Sequence, residues 1–316
     1  MLEIKMEECV SRGLSSDLAS LLRCEGLTTI TLTRLDQLVT KVVSWFSAIH
    51  QPLTSDLQRN ATPLLNLADA FYDYFLLLCQ TSLPVSQLSV VLLQLARFAL
   101  DQDIHFPLRL EAIRTFNSIL EFLSREQRRQ IQMDQNQTPI LSQVAAAVLT
   151  VGDYELQVSL SEALCRLTPR KEREHRANQW FSCRDISRAF CDIRDVDFEV
   201  DCRRFLNFVN RYHGDQRRVY TFPCVRAFLD STELFRPKDE KLDEFWIDFN
   251  VSSGCVSFFV DEPQGFLWGS IHLLKEEVDR YSLYLKQDGC TGAETVLSVQ
   301  LNTPSCTRTA EVVRWS

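Results

Sequence analysis

The residues best suited to hold a metal ion lie between His175 and His213, where the chain carries Cys183, Cys191 and Cys202. A structural zinc site usually takes ligands roughly two to four residues apart, because one turn must present each pair. The cysteines here are separated by eight and eleven residues. Buried apolar thiols on helix faces are therefore the favoured interpretation, and we predict neither a metal nor a cofactor.

Enzyme motifs are missing from the sequence. It contains no GxGxxG, GxxxxGK[ST], GxSxG or HExxH pattern, and nine glycines leave little material for loops that cradle phosphates. The five histidines are far apart in the chain: His50, His105, His175, His213 and His272. We predict a protein without catalytic activity and without a small-molecule substrate.

The segment 166–218 is rich in arginine although the whole chain has a net charge of −8. A dedicated nucleic-acid binder usually carries a basic excess, since its affinity comes from neutralised phosphates. Aspartates are interleaved with the arginines here, which favours a solvated face, with a protein-binding surface and nucleic-acid contact as the alternatives. The candidate partner-binding surface, called the basic ridge below, consists of Arg170, Lys171, Arg173 and Arg176.

Helices must position this ridge, because apolar residues recur at helical spacing through most of the first 230 residues. Helical segments beginning near Pro107, Tyr154 and Phe198 can be superimposed at offsets of about 48 and 42 residues, close to the period of armadillo and HEAT repeats. Such units bury their apolar faces by stacking. We predict an α-solenoid over residues 1–235, with Leu156, Val158, Leu164 and Leu167 in its core.

The pattern changes after Phe235. A charged connector containing Pro237 leads into runs with a period near two, such as FWIDFN, CVSFFV and TVLSVQL. These runs predict five or six strands over residues 236–316. Their aromatic residues suit the core of a small sheet better than a platform for stacking bases.

The cysteines and the apolar runs bear on the cellular compartment. Eleven cysteines are scattered without a CxxC pair, and the start MLEIKMEECV lacks the apolar core of a signal peptide. The longest apolar region, 83–100, is interrupted by Ser and Gln. We expect an intracellular, soluble protein with free thiols and no contact with a membrane.

Three longer strings occur together in one order: VGDYELQVSLSEALCRLT (151–168), GDQRRVYTFPCVRAFL (214–229) and DEKLDEFWIDFN (239–250). They resemble the N-terminal region of the synaptonemal complex protein 2 family, including its "-like" paralogue. The resemblance extends well over 151–289, whereas the stretch 290–316 follows the family poorly. It implies a multidomain protein, α then β: an armadillo-repeat-like domain over 1–235, and over 236–316 a pleckstrin-homology-like domain similar to a histone-chaperone middle domain.

A complete domain of the second kind has more strands than five or six and a closing helix, so the resemblance implies that this one is incomplete. It further implies a structural role in the axial and lateral elements of the synaptonemal complex in meiotic nuclei, with chromosome-axis and centromere proteins as partners. Synaptonemal complex protein 3 would be bound only by a longer form with a coiled coil, since this chain has no heptad region. A histone- or DNA-contacting chromatin module is the alternative.

Overall fold

The computed structural model describes residues 8–9, 12, 16–17, 32–55, 62–79, 83–134, 137–242, 244–261, 269–288, 292–303 and 306–315. The chain divides into two compact units. Unit 1 comprises Met1–Val148 and Glu155–Asp195, and unit 2 comprises Leu149–Tyr154 and Val196–Ser316.

Unit 1 is helical in the part that the structure describes. Its helices are α1 (Leu32–Ala48), α2 (His50–Thr54), α3 (Thr62–Cys79), α4 (Val85–Leu100), α5 (Phe106–Phe122), α6 (Arg125–Met133), α7 (Gln137–Thr150), α8 (Tyr154–Leu167), α9 (Arg170–Trp180) and α10 (Arg184–Cys191). For two of these helices, the first residues explain where the helix begins. Pro107 occupies the first turn of α5, where a missing N–H costs nothing, and Ser124 and Gln127 form a capping box on α6.

Aromatic rings from three helices form the core at the N-terminal side of unit 1. Phe46 of α1 stacks on Phe98 of α4 at a centroid separation of 4.1 Å, and it meets Phe75 of α3 edge-on at 5.2 Å. Phe71 and Tyr72 of α3 complete the cluster within 5.8 Å of Phe46. All five side chains are buried, so burial of aromatic surface fixes how these helices stack.

The predicted core register of α8 is present in the structure. Leu156 and Leu164 are fully buried and Leu167 is 1% exposed, whereas Val158 is half-buried. In the part of the chain that the structure describes, no helix combines the length and the apolar character needed to cross a membrane.

Unit 2 contains one long helix, α11 (Phe198–Tyr212), and strands that form two sheets. The first sheet has the order β1-β4-β5-β6, and the second has the order β3-β2-β9-β8-β7. All described pairings are antiparallel. The strands are β1 (Val219–Cys224), β2 (Arg226–Leu229), β3 (Thr232–Leu234), β4 (Phe245–Asn250), β5 (Cys255–Val260), β6 (Gly269–Leu274), β7 (Val278–Asp288), β8 (Gly292–Thr303) and β9 (Cys306–Trp315).

The two sheets share a core. Along the strands, buried residues alternate with the predicted period of two. Phe245, Ile247 and Phe258 are buried in the first sheet together with Ala227 of the second. A second cluster joins Leu273 of β6 to the β8 residues Val299 and Leu301, which are also buried. Alternate residues along each strand therefore face the space between the sheets.

The strands begin at Val219, ahead of the predicted start at 236, and the described residues contain more of them than the five or six expected. Pro223 obscured β1, but β1 is an edge strand, and a missing N–H is tolerated there. Strands β2 and β3 are short and are joined at Asp230, whose φ of 53° suits a tight turn. Residues 292–303 and 306–315 supply β8 and β9 of the second sheet.

Candidate functional site

The basic ridge lies on α9, but its four members do not share one surface. Arg170 and Lys171 are exposed in the first turn and Arg176 is half-buried. Arg173 is 1% exposed. It lies four residues before the buried Ala177 and eight before the buried Phe181, which places it on the inward face of the helix.

The Arg173 side chain is hydrogen-bonded to backbone carbonyl groups within unit 1. Its guanidinium donates to the Ile193 carbonyl at 2.5 Å, to Asp195 Oδ1 at 2.7 Å and to the Cys165 carbonyl at 3.4 Å. These bonds connect α9 to the end of α8 and to the chain that follows α10. The assignment of Arg173 to a partner-binding surface is therefore wrong, because its guanidinium is a buried donor to two carbonyl groups and one carboxylate of its own unit.

The exposed remainder of the ridge lies among side chains of both charges. Arg184 and Arg188 of α10 are exposed near it in sequence, but so are acidic side chains, namely Glu172, Glu174, Asp185 and Asp192. Arg176 donates to Gln179 at 3.5 Å. A surface of this composition suits recognition of a protein better than tracking of a phosphate backbone.

Three cysteines of unit 1 are poor nucleophiles. Burial raises the pKa of Cys79 and of Cys165 to about 12, and it also raises the pKa of the half-buried Cys191. A thiol reacts and binds metals as the thiolate, so these groups are inert near neutral pH. Within the described residues, no three His, Cys, Asp or Glu side chains are grouped so that they could hold a metal ion.

Unit 1 contains a cavity of about 400 Å³ that three carboxylates line. Asp69 and Asp73 contribute from α3 and Glu111 from α5, with His105 and Tyr72 also in the wall. Burial raises the pKa of Glu111; the Arg114 guanidinium opposes this rise, and the carboxylates of Asp69 and Asp73 add to it. We call this the acidic cavity; its charge suits a basic side chain.

A buried ion pair joins α11 to the first sheet of unit 2. Arg203 donates to both oxygens of Asp248 at 2.9 and 3.0 Å. Arg203 is 4% exposed and Asp248 is fully buried. Thr221 of β1 donates to Asp248 Oδ1 at 2.7 Å, and the guanidinium lies 3.5 Å from the centre of the Tyr154 ring. The pair therefore has the extra hydrogen bonds that a desolvated pair requires.

The segment 149–154 is fastened to the turn between β4 and β5. The Tyr154 amide donates to Asn250 Oδ1 at 2.8 Å, and Ser253 donates to Asp153 Oδ2 at 2.6 Å. The Ser252 amide donates to the Gly152 carbonyl at 3.0 Å. Gly152 has a φ of +70°, and a Cβ there would lie 2.5 Å from Ser252 Oγ, so this close approach requires glycine.

This polar network was missed by the sequence analysis, although its residues lie within the strings that carried the family resemblance. Asp248 and Asn250 occupy β4 in the string 239–250, and Gly152 and Asp153 open the string 151–168. A signal was available, because Asp and Asn are unfavourable inside a strand unless something pairs them. The partners lie 45 and 96 residues away, beyond the reach of a local pattern.

An apolar cavity of about 740 Å³ opens between the two sheets of unit 2. Its walls include Phe249, Val256, Leu273, Val278, Leu297 and Val299. Next to it, β7 carries consecutive large apolar side chains in solvent. Tyr281 is 74% exposed, Leu283 and Leu285 are each 67% exposed, and Tyr284 is 44% exposed. A cluster of this kind on a small unit usually marks a contact surface.

Comparison with known proteins gives matches in both units. The model of the synaptonemal complex 2 armadillo-repeat-like domain matches residues 25–127, and that of the synaptonemal complex 2 Spt16M-like domain matches residues 219–315. The second match runs from the first strand to the last, so the stretch 290–316 belongs to the family pattern, contrary to our expectation.

Relatives of known name are similar over most of the chain. Synaptonemal complex protein 2-like of Xenopus laevis is 38% identical over 88% of this chain and 28% of its own length. Synaptonemal complex protein 2 of Mus musculus is 36% identical over 79% of this chain and 17% of its own length. The chain thus spans less than a third of these relatives. A solved structure titled "Synaptonemal complex protein" aligns with a TM-score of 0.81 and 29% identity over 99% of this chain and 82% of that one.

Proposed function

The chain belongs to the synaptonemal complex protein 2 family, and we propose that it is a non-enzymatic structural module of the meiotic chromosome axis in the nucleus. The single observation that supports this role best is the presence of both family domains in the family's order, within a fold similar to a solved synaptonemal complex protein over 99% of the chain. Its expected partners are other axis proteins and, more specifically, centromere proteins. The larger named relatives also carry sequence that this chain does not match.

We place the boundary between the armadillo-repeat-like and the pleckstrin-homology-like domain at Val196 rather than at 236. Helix α11 and strands β1–β3 belong to the same compact unit as the rest of the sheets. The buried pair between Arg203 and Asp248 supports this placement, because a cut at 236 would separate Arg203 from its carboxylate partner.

The exposed part of the basic ridge, Arg170 and Lys171 with Arg176 beside them, is the proposed partner-binding surface. It would contact an axis or centromere protein through these basic side chains and the acidic ones near them in sequence. Charge reversal with Arg170→Glu and Lys171→Glu should leave the fold intact, because both side chains are exposed in the first turn of α9.

Localisation in spread meiotic nuclei tests this proposal. The tagged chain should form threads or centromeric foci on condensed chromosomes, and the reversed variant should lose them. Arg125→Glu with Arg129→Glu is the matched control, since both arginines are exposed on α6 of the same unit. Diffuse signal from the parent chain would overturn the axis role. Threads retained by the reversed variant would overturn the assignment of the ridge.

A histone-contacting role is the second candidate, and the acidic cavity favours it. Three carboxylates line that cavity and the chain has a net charge of −8, so a basic histone tail is a better match than DNA. A fluorescent H3 tail peptide should bind, and Asp69→Asn with Asp73→Asn should weaken binding. Asp103→Asn, at an exposed site outside the cavity lining, should not. Equal affinity of all three chains would exclude this role.

A further inference from the structure

Strand β7 is an open edge of the second sheet. In the part of the chain that the structure describes, β7 pairs with β8 alone. It extends over eleven residues, from Val278 to Asp288. The backbone groups on the outer side of such a strand are a template for another strand, and proteins normally shorten, charge or cover edges of this length.

The apolar residues of β7 continue the core beyond the point where the first sheet covers it. Tyr281 lies opposite Val299 and Leu283 lies opposite Leu297 in the antiparallel register. Opposed residues project from the same face of a sheet, and Val299 and Leu297 pack between the sheets. Tyr281, Leu283 and Leu285 therefore point to the core side, although each is at least 67% exposed.

We propose that a second copy of this chain pairs with β7, the two strands running antiparallel about a twofold axis at Leu283. This register places Leu283 opposite Leu283 and Tyr281 opposite Leu285. Six apolar side chains from the two copies then form one continuous row, which lies beside the cavity that Tyr281 helps to line. A shift of one residue would place Leu285 opposite Arg280, so the apolar pattern selects the register.

The surface available is sufficient for such a pair. The exposed core-side residues of β7 and the adjoining cavity wall provide on the order of 500 Å² in each copy, and about 1,000 Å² together, which is near the lower limit for a specific interface. An edge strand paired with its own copy uses the same patch twice, as a twofold interface requires. An interface of this size is typical of a weak or transient pair, so we expect the dimer to form at micromolar rather than lower concentrations.

Sedimentation equilibrium of the full chain tests the inference and does not depend on any meiotic role. Between roughly 1 and 100 μM, the mass should rise from 36.5 kDa toward twice that value. Leu283→Glu should raise the dissociation constant at least about tenfold, because two like charges would face each other on the axis. Its circular dichroism should match the parent, and so should its melting temperature at a concentration where the parent is monomeric, since Leu283 is exposed.

Val196→Glu is the matched control, because Val196 is 87% exposed in the same unit and lies outside the strands. It should dimerise as the parent does. In a separate measurement, Leu283→Cys should form an intermolecular disulfide under mild oxidation faster than Val196→Cys does. A parent chain that stays monomeric throughout this range, or a Leu283→Glu variant that dimerises like the parent, would overturn the inference.

Discussion

Two arginines of similar burial have very different partners at the scale of single residues. Arg173 is 1% exposed, yet its carboxylate partner Asp195 has a side chain that is 68% exposed. Arg203 faces a carboxylate with no exposure at all. Loss of Arg173 would leave Asp195 solvated by water, whereas loss of Arg203 would leave Asp248 as a buried charge without its counter-ion.

We therefore expect Arg203→Met to lower the free energy of unfolding by roughly 3–5 kcal/mol. The double variant Arg203→Met with Asp248→Leu should recover a large part of that loss, because no unpaired charge then remains in the core. Urea unfolding of the parent, the single and the double variant provides the measurement. A double variant no more stable than the single one would show that the hydrogen bond from Thr221, not the charge, dominates.

The acidic cavity gives a prediction with a defined pH dependence. Burial raises the pKa of Glu111, so the folded state favours its protonated form and the ionised form costs stability at neutral pH. Glu111→Gln should raise the melting temperature at pH 7 by on the order of a degree or two, since the group is partly exposed and solvent screens the effect.

The gain from Glu111→Gln should disappear as the pH falls below the ordinary glutamate range, where the carboxyl is neutral in the folded and the unfolded chain alike. Thermal melts of the parent and the variant across that range are the test. Glu121→Gln, at a side chain that is 69% exposed, should change little at any pH. A gain that persists at acidic pH would indicate that packing, not ionisation, is responsible.

At the scale of elements, regular apolar spacing was the dependable guide. The 3.6-residue period predicted α8 and its buried face at Leu156 and Leu164, and the two-residue period predicted the first-sheet strands β4 and β5. Both patterns arise because one side of the element packs and the other does not. The strands β1–β3 were harder to predict, because β1 contains Pro223 and because β2 and β3 are only four and three residues long.

The register of α8 can be measured directly. Leu164 is fully buried, so Leu164→Ala should lower the free energy of unfolding by roughly 2–5 kcal/mol. Val158 on the same helix is half-buried, and Val158→Ala should cost less than about half as much. Equal losses from the two substitutions in chemical denaturation would contradict the register.

The site was less predictable than the fold because its determinants are long-range. Charge alone led us to place Arg173 on the surface, although its spacing from Ala177 and Phe181 points inward. In the sequence, β7 looked like any other strand with alternating apolar residues. The exposure of its apolar side chains depends on where the opposing sheet ends. Residues far apart in sequence set that limit.

At the scale of the whole molecule, the net charge distinguishes contact with proteins from contact with DNA. The net charge of −8 opposes a phosphate backbone over long range. We expect no measurable binding to a short DNA duplex at physiological salt, as judged by a gel mobility shift. If a complex forms and weakens steeply as salt rises, then local arginines outweigh the total charge, and the axis role would include direct DNA contact.

The brevity of β3 limits strand-mediated growth through the second sheet. The second sheet ends on one side in the eleven-residue β7 and on the other in the three-residue β3, Thr232–Leu234. A fibril needs two competent edges, so that each added molecule recreates the end it occupied. A very short edge strand is one of the means by which proteins protect a sheet edge against pairing with another chain. The second sheet thus has one long border that can accept a further strand, and its opposite border does not recreate that surface for the next molecule.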